Sequence, residues 1–412
     1  MLTLKVAWRN LFRNRTRTAI TGSAIAFSYM LLLATFGVSD DSYLKMIEEA
    51  GRMLGGGVLV HQAGWWQRRS PKEFIAEPEQ VMAQARSLPG VVEVNRRVAA
   101  VGLLSSARGN AGVELRGIDP AHEPGIERVR RHLVEGTFLD GKARSPLVIG
   151  AKTARRLDVG LGDRVVFTAT GGDGELRRAL FRVTGILGGG SSSVEEGPVY
   201  TTVEAAQRAL GLGRGVTQIG LVLDPQAEPA QVKAALLERL GGAGNLEVLT
   251  WREAMPEMVQ VIQVDKEQAY LIFLLVLLVV GFGIANTILM SVMERVRELG
   301  LIAALGVTPG GIVRLVVTET LVLGAVAMAF GLLGALAIHT ALQPGIPAAS
   351  LTGESFEVAG VVLEDYLLSS AIVLPRWIGG TLAVAAVVFL SSLYPAIRAS
   401  RLDPVEAMRT YE

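Results

Sequence analysis

The sequence contains no cysteine and carries almost no net charge. Among its 412 residues, 40 lysines and arginines balance 39 aspartates and glutamates. The lack of cysteine excludes thiol chemistry, disulfides and cysteine-ligated zinc, so an exported domain would depend on its apolar core alone. A formal net charge of +1 gives whole-chain nucleic-acid binding no electrostatic support. We therefore expect no nucleic-acid partner.

Groups for metal or catalytic chemistry are also scarce. The four histidines are scattered along the chain, at His61, His122, His132 and His339. His122 and His132 lie near acidic residues but lack the spacing of zinc ligands, so solvated loop positions are the better interpretation. We predict no metal site, no bound cofactor and no catalytic residue, and hence a chain that is not an enzyme.

One glycine-rich stretch, Gly136 to Ala143, fits most of the phosphate-binding pattern G-x-x-x-x-G-K-[ST]. Ala143 stands where the pattern needs a hydroxyl for Mg²⁺, and Pro146 prevents a long helix from following directly. We predict a turn between strands there. A second stretch, Gly188 to Ser193, lacks the G-x-S-x-G nucleophile pattern and is typical of a flexible loop.

Long apolar runs are what the sequence has in abundance, since half of its residues are hydrophobic. Four runs are long enough to cross a bilayer, at 19–38, 269–293, 315–341 and 377–397, and the first two contain no charged residue. A cleavable signal peptide is the alternative for the first run, but its only Ala-x-Ala, Ala24 to Ala26, lies inside the run. We predict four retained transmembrane helices.

Residues 39–264 contain no spanning run and alternate between strand-like and helix-like patterns, such as Val58 to Gln62 and Ala230 to Leu240. The predicted fold is an α-helical membrane protein with four transmembrane helices and a large α+β extracytoplasmic domain inserted between the first and second spans.

Basic residues set the predicted orientation. Five precede the first span, within a basic amphipathic helix typical of a membrane interface. Others lie between spans two and three and in the tail, whereas the loop at 342–376 holds only Arg376. The positive-inside rule places both termini in the cytoplasm.

The sequence therefore divides into nine predicted segments. They are an amphipathic helix at 1–18, transmembrane helices at 19–38, 265–293, 312–341 and 377–397, the outer domain at 39–264, a cytoplasmic helix at 294–311, an outer loop at 342–376 and a cytoplasmic tail at 398–412.

Four charges follow the second span within five positions: Glu294, Arg295, Arg297 and Glu298. At 100° per residue they share one arc of a helix, with Val296, Leu299 and Ala303 opposite. Such an arc can dock onto a soluble partner, although an ordinary solvated helix remains the alternative. Gly300 would let another chain approach closely or let the backbone turn.

Two polar residues lie inside predicted spans, Asn286 in the second and Glu319 in the third. A carboxylate within a span usually faces protein or water. A proton relay would need a chain of such groups, so structural pairing or coupling is the favoured interpretation for Glu319. Ala327, Gly331 and Ala335 recur every four positions, a spacing suited to close helix packing.

The run Ser291 to Gly300, followed by Ala304-Leu-Gly306, resembles the signature of the FtsX-like permeases, and Tyr394 to Arg409 resembles their C-terminal pattern. These are membrane subunits of ABC transporters of the LolC/LolE-like and MacB-like kinds. Pro146 to Lys152 and Gly160 to Asp163 resemble their extracytoplasmic domain. The resemblance implies that 294–311 is a coupling helix against a cytoplasmic ATPase, with Glu294, Arg295, Arg297, Glu298 and Gly300 as coupling residues. The family usually carries Arg or Lys where this chain has Ala303.

The resemblance also implies partners and a mechanism. Two copies of an ABC ATPase would bind ATP and Mg, and a second permease subunit, identical or homologous, would complete the complex in the bacterial inner membrane among its lipids. ATP hydrolysis would move the outer domain mechanically. Lipoprotein release to a periplasmic acceptor is the specific expectation, based on Thr250-Trp-Arg-Glu253 and on the loop at 342–376. The alternatives are MacB-like export of peptides, toxins or drugs, and FtsX-like signalling to a cell-wall hydrolase, which usually involves a much smaller outer domain.

Overall fold

The computed structural model describes residues 9, 15–139, 143–189, 192–242, 244–347, 356–358, 361–363 and 367–401. Most of the predicted amphipathic helix at 1–18, and the tail beyond residue 401, lie outside these residues. The chain divides into two compact units. We call Met1–Leu44, Ile262–Ser350 and Leu367–Glu412 the helical unit, and Lys45–Val261 with Leu351–Tyr366 the sheet unit.

The described helices, numbered along the chain, are α1 (Arg15–Leu54), α2 (Trp65–Arg68), α3 (Pro78–Arg86), α4 (Ile126–Arg131), α5 (Ala151–Leu157), α6 (Ser192–Glu195), α7 (Val203–Leu210), α8 (Pro229–Arg239), α9 (Trp251–Ala254), α10 (Pro256–Glu294), α11 (Val296–Ala304), α12 (Pro309–Leu342) and α13 (Leu374–Ser400). The described strands are β1 (Val58–Gln62), β2 (Val91–Ser105), β3 (Asn110–Ile118), β4 (Leu133–Gly136), β5 (Pro146–Gly150), β6 (Arg164–Thr170), β7 (Leu176–Leu187), β8 (Val199–Thr202), β9 (Gln218–Leu223), β10 (Leu246–Thr250), β11 (Ile346–Pro347), β12 (Phe356–Val358), β13 (Val361–Leu363) and β14 (Leu367–Leu368).

The four predicted apolar helices are confirmed as α1, α10, α12 and α13, each long and apolar enough to cross a membrane. All four contribute to one apolar core, including Leu33 of α1, Ile284 of α10, Val316 of α12 and Val388 of α13. Their outward faces are apolar as well, as at Phe282, which is 74% exposed. Helices that are apolar on every side are expected where the surrounding medium is lipid.

Small residues bring α1 and α12 together, as their spacing predicts. Ala327, Gly331 and Ala335 are all buried. A Cβ added at Gly331 would lie 2.6 Å from the carbonyl oxygen of Ala26. The backbones are therefore in direct contact, and a larger side chain at this position would force them apart.

The sheet unit is built on a ten-stranded mixed sheet in the order β10-β1-β9-β2-β3-β8-β5-β7-β4, with β6 paired to β2 and β7. Strands β1 to β10 all lie between α1 and α10 along the chain. Most neighbouring strands are antiparallel, while the pairs β3 with β8 and β5 with β7 are parallel. Its core contains Val98, Leu104 and Leu115 of the sheet and Leu210 of α7, all essentially inaccessible to solvent.

The two glycine-rich stretches lie in connections of the sheet unit. Gly136 ends β4 and the next regular element is β5, so the first stretch joins two strands, although residues 140–142 are outside the described part. In the second stretch the expected loop ends earlier than predicted, because Ser192 and Ser193 already belong to the single-turn helix α6.

Candidate coupling site

The predicted coupling segment is not one continuous helix. Helix α10 ends at Glu294, and Arg295 departs from helical geometry at φ −108° and ψ 15° before α11 begins at Val296. The Arg295 N–H donates to the carbonyl of Val292 at 3.1 Å, three residues back, which tightens the end of α10. The prediction that the four charges share one helical arc is therefore wrong, because the chain turns in their middle.

Arg295 turns towards the third membrane helix. Its Nη1 lies 3.0 and 3.1 Å from the two carboxylate oxygens of Glu319 on α12. Its Nε lies 3.4 Å from Glu298. The side chains of Arg295 and Glu319 are each only 22% exposed. Glu319 thus has the protein partner that a carboxylate in a span requires, and Arg295 is committed to an internal pair.

One face of α11 packs against the helical core. Leu299 and Gly300 are buried, and Ala303 is half-buried against the same cluster. Ala303, where the resemblance led us to expect a basic residue, therefore contacts this chain itself. Gly300 lies inside the helix, and the backbone turn that it was expected to allow occurs at Gly306, where φ is +92°.

The opposite face of α11 is exposed and largely apolar. Arg297 of α11 and Glu294 at the end of α10 are exposed. Beside them, Leu301 is 55% exposed and Leu305 78% exposed. Sequence reasoning passed over these leucines, although their i,i+4 spacing on the side away from Leu299 and Ala303 could have indicated them. Leu301 and Leu305 therefore form an exposed apolar pair next to the cation of Arg297.

Sharp turns delimit α11 at its C-terminal end. The Gly306 N–H donates to Ala303 at 3.0 Å and the Val307 N–H to Ile302 at 3.3 Å, the two bonds of a Schellman motif. Thr308 then caps α12 by accepting a hydrogen bond from the Gly311 N–H at 3.3 Å. These bonds order the turn between α11 and α12, so the C-terminal end of α11 is held in place next to the beginning of α12.

The two polar residues predicted inside spans lie in different places. Glu319, with Arg295, lines a cavity of about 80 Å³ among the hydroxyl groups of Thr21, Ser291 and Thr320. Asn286 is exposed and lines an apolar groove of about 540 Å³ between α10 and α13. The structure brings Glu319 to the base of α11 and leaves Asn286 on the outer surface of the helices.

A second feature, which sequence reasoning missed, lies in the sheet unit at the C-terminal end of α1. Arg97 of β2 donates to the carbonyls of Met53 at 2.8 Å and Arg52 at 3.1 Å. Gln218 of β9 donates to the next carbonyl, Leu54, and Asn95 of β2 donates to the carbonyl of Gly55. Four successive carbonyls at this helix end are thus held by strand side chains. We call this arrangement the carbonyl clamp.

The centre of the carbonyl clamp is a buried ion pair. Arg97 also pairs with Glu123, and both side chains are only 5% exposed. Burial lowers the pKa of the Arg97 guanidinium, and the Glu123 carboxylate opposes that shift. Since a guanidinium stays protonated in proteins, the clamp places a fixed positive charge at the negative end of the helix dipole.

Two family models match this chain, one in its N-terminal part and one in its C-terminal part. The model of the MacB-like periplasmic core domain matches residues 18–239, and that of the FtsX-like permease C-terminal domain matches residues 270–404. The lipoprotein-releasing system transmembrane protein LolC of Neisseria meningitidis is 25% identical over 337 residues, which cover 78% of each chain. The pyoverdine export ATP-binding/permease protein PvdT of Pseudomonas syringae is 26% identical, covering 98% of this chain and 59% of that protein.

A solved structure, the periplasmic region of MacB from Actinobacillus actinomycetemcomitans, is similar to 51% of this chain over 94% of its own length, at 13% identity and a TM-score of 0.35.

Four apolar helices, an α/β unit and these matches define an ABC-transporter permease. The chain belongs to the family of the MacB-like periplasmic core domain, whose model covers more than half of it, and its C-terminal part is an FtsX-like permease domain. It is accordingly a bacterial inner-membrane protein with a periplasmic domain.

Proposed function

We propose that this permease works with a separate ABC ATPase and that α11 is the element on which the ATPase acts. The observation that carries the proposal is the two-sided character of α11. One face is held to the helical core at Leu299 and Gly300, while Arg297, Leu301 and Leu305 stand free on the other. A helix anchored on one face and exposed on the other can receive a displacement and pass it to its neighbours.

The Arg295–Glu319 pair would transmit that displacement. It ties the beginning of α11 to α12 through two contacts near 3 Å. Pulling the pair apart would leave the partly buried Glu319 carboxylate without its Arg295 partner, so the elements move together more readily than they separate. ATP and Mg would be bound by two copies of the ATPase.

Movement would reach the outer side through the long helices. Helix α1 is continuous from Arg15 to Leu54, and its last carbonyls are held by the carbonyl clamp. In this proposal both termini are cytoplasmic and the sheet unit, inserted between the first and second spans, is periplasmic. The asymmetry of basic residues supports that orientation.

Asn286 suggests where a second permease subunit would bind. An exposed amide on an apolar helix is unfavourable in lipid and stabilising when it meets a hydrogen-bonding partner. The groove that it lines also contains Ser391 and Tyr394. We propose that a second subunit, identical or homologous, covers this groove.

Lipoprotein release is the specific transport activity that we propose, because the LolC match covers 78% of both chains. Trp251, which contributed to this expectation, is 4% exposed and begins the capped helix α9, so it serves packing and is not available to a substrate. Export of the MacB type is the second candidate, because the PvdT and MacB relatives align over 98% of this chain.

The ATPase contact can be tested with a double substitution, Leu301→Glu with Leu305→Glu. Charges there would have to be desolvated in the contact, so we expect the ATPase that co-purifies with the wild-type chain in mild detergent to be lost. Leu161→Glu is the matched control, because Leu161 is an exposed leucine in the sheet unit. Normal co-purification and ATP hydrolysis with the double variant, or no ATPase with the wild-type chain, would contradict the proposal.

The substrate is tested separately with the complex in spheroplasts. Release of labelled lipoproteins into the medium on addition of a soluble acceptor supports lipoprotein transport. Retention of lipoproteins together with ATP-dependent efflux of a peptide or drug would contradict lipoprotein release and support MacB-type export.

A further inference from the structure

A cavity of about 330 Å³ in the sheet unit has a lining that the proposed function does not use. It lies on the face of β2 and β3 that carries Ala99 and Val101, away from the apolar core. Its volume is at the lower end of the range for small-molecule sites. Its lining has an aromatic and apolar part and a cationic part.

One part of this lining is aromatic and apolar. Helix α2 contributes Trp65 and Trp66, and Met53 and Met255 contribute flexible thioether side chains. Val101 of β2 is 63% exposed and adds an apolar surface to this part of the lining. Methionine and tryptophan together form an adaptable surface for an aliphatic chain.

The other part of the lining is cationic. Arg116 pairs with Glu114 at 3.1 Å, and Arg97 pairs with Glu123. Arg69 has no carboxylate within salt-bridge distance among the described residues, and its guanidinium lies 3.7 Å from the centre of the Trp66 ring. Three arginines and one glutamate line the cavity, so its charge is complementary to an anion.

Two buried N–H donors add a second observation. Within the described part of the chain, Nε of Arg97 and Nε1 of Trp65 have no hydrogen-bond acceptor. Arg97 is 4% exposed and Trp65 1% exposed, and both line the cavity. Buried donors without an acceptor are unfavourable, and a small shift of either side chain towards a bound anion would give its N–H an acceptor.

We propose that this cavity binds an amphiphile with one anionic group. The aliphatic chain packs against Trp66, Met53, Met255 and Val101, and the carboxylate or phosphate accepts hydrogen bonds from the arginines. Arg69 is the residue whose charge the ligand neutralises. This site is independent of the proposed transport activity, because neither α11 nor the ATPase takes part in it.

Photochemical labelling of the full chain in zwitterionic lipid nanodiscs tests the proposal. The probes are dodecanoate bearing a diazirine on its chain, its neutral methyl ester, and a phosphatidylglycerol bearing the same diazirine. Adducts are mapped by mass spectrometry. We expect dodecanoate to label peptides containing Met53, Trp66, Val101 or Met255 about tenfold more than the ester does, the effect of one charge-assisted hydrogen bond.

Variants identify the charge that matters. Arg69→Gln should reduce the dodecanoate labelling about tenfold, again the effect of one charge-assisted hydrogen bond. Arg68→Gln is the matched control, because the neighbouring Arg68 pairs with Glu73 and does not line the cavity. The ratio of labelling by dodecanoate to labelling by its methyl ester is measured on the wild-type chain. It therefore still tests the proposal if a variant misfolds.

The probes also distinguish the source of the anion. Labelling of the same peptides by phosphatidylglycerol supports a lipid phosphate as the headgroup, and labelling by dodecanoate alone supports a free carboxylate. Equal labelling by acid and ester, adducts confined to the membrane helices, or labelling that Arg69→Gln leaves unchanged would overturn the proposal.

Discussion

Both units of this chain have an apolar core, but the helical unit also exposes large apolar side chains along its membrane helices. In the helical unit, large apolar residues such as Leu278 and Phe282 are 50% and 74% exposed. In the sheet unit, residues such as Leu59 and Leu115 are 0% exposed. The same physical rule explains both, because each unit presents to its surroundings the surface that those surroundings solvate, lipid in one case and water in the other.

The units also bury their arginines differently. Arg97 in the sheet unit is held by Glu123 and two backbone carbonyls. Arg376 in the helical unit pairs with Asp40 and lies over the rings of Phe36 and Tyr270. The first arginine stabilises a helix end, whereas the second joins the beginning of α13 to α1. Arg97 thus has several oxygen acceptors besides its counterion, whereas Arg376 has a counterion and two aromatic rings.

The largest expected effect is at the carbonyl clamp. Arg97→Met would leave the Glu123 carboxylate buried without its partner and release two helix carbonyls, at a cost of about 3–5 kcal/mol. Hydrogen exchange should increase in β2 and at the end of α1. Arg108→Met is the matched control, since the solvent-exposed Arg108–Asp158 pair should contribute little to stability. Equal exchange in both variants would show that the clamp does not stabilise the sheet unit.

The next effect is in the helical unit, at the contact between α1 and α12. Gly331→Val would push side-chain atoms against the carbonyl of Ala26, and overpacking of this kind costs about 2–3 kcal/mol. Thermal unfolding in one detergent measures the loss. Gly283→Val is the control, because a Cβ there would meet nothing within 4 Å. A similar melting temperature for both variants would mean that the helices separate easily.

Much of the helical unit was predictable from sequence, because a membrane helix is specified by a local property, the length of an apolar run. The small residues at 327, 331 and 335 likewise indicated a packed face. The interruption at Arg295 was not predictable from helical periodicity. At the interruption Arg295 pairs with Glu319, a partner 24 positions away that helical periodicity does not indicate.

The sheet unit was predictable only in outline. Alternating patterns indicated strands, yet the order β10-β1-β9-β2 depends on pairings between distant segments that no local pattern contains. The carbonyl clamp had no sequence signal either. In the sequence, nothing distinguishes Arg97, Asn95 and Gln218 from other strand residues. The register of β2 and β9 is what places all three at the end of α1.

The stability of the sheet unit should depend on pH because of one buried histidine, His61. Burial lowers the pKa of His61 in β1 to about 3 from an ordinary value of 6.5. Below pH 6.5 the unfolded chain binds a proton that the folded chain excludes, so stability falls as pH decreases from 6.5 towards 3. Between pH 7 and pH 5 the loss is about 2 kcal/mol.

His61→Phe keeps a ring next to Trp65 and removes the titration, so its stability should change little over the same interval. The measurement is hydrogen exchange of β1 peptides, corrected for intrinsic rates, at pH 7 and pH 5. The same pH dependence in wild type and variant would assign the effect to other groups.

The smallest expected effects concern helix caps, where the two units should behave alike. Thr250 in the sheet unit accepts from the Glu253 N–H at 3.4 Å, and the Glu253 carboxylate accepts from the Thr250 N–H at 2.8 Å. Thr308 in the helical unit makes the single cap bond to Gly311. Replacing either threonine by alanine should cost about 1 kcal/mol, somewhat more at Thr250, and serine should restore most of it.

Equal costs would mean that capping depends on the helix end itself, because an unpaired N–H is unfavourable whichever medium surrounds the rest of the unit. The two caps should still differ in function. Thr308 fixes the turn between α11 and α12, so Thr308→Ala should weaken ATPase-coupled transport at constant expression, whereas Thr250→Ala should leave coupling unchanged. Coupled hydrolysis in reconstituted vesicles measures this, with Thr308→Ser as the control. If Thr308→Ala lowers the melting temperature but leaves coupling intact, an ordered turn between α11 and α12 is not needed for coupling. That result would contradict the proposal that α11 transmits displacement through its attachment to α12.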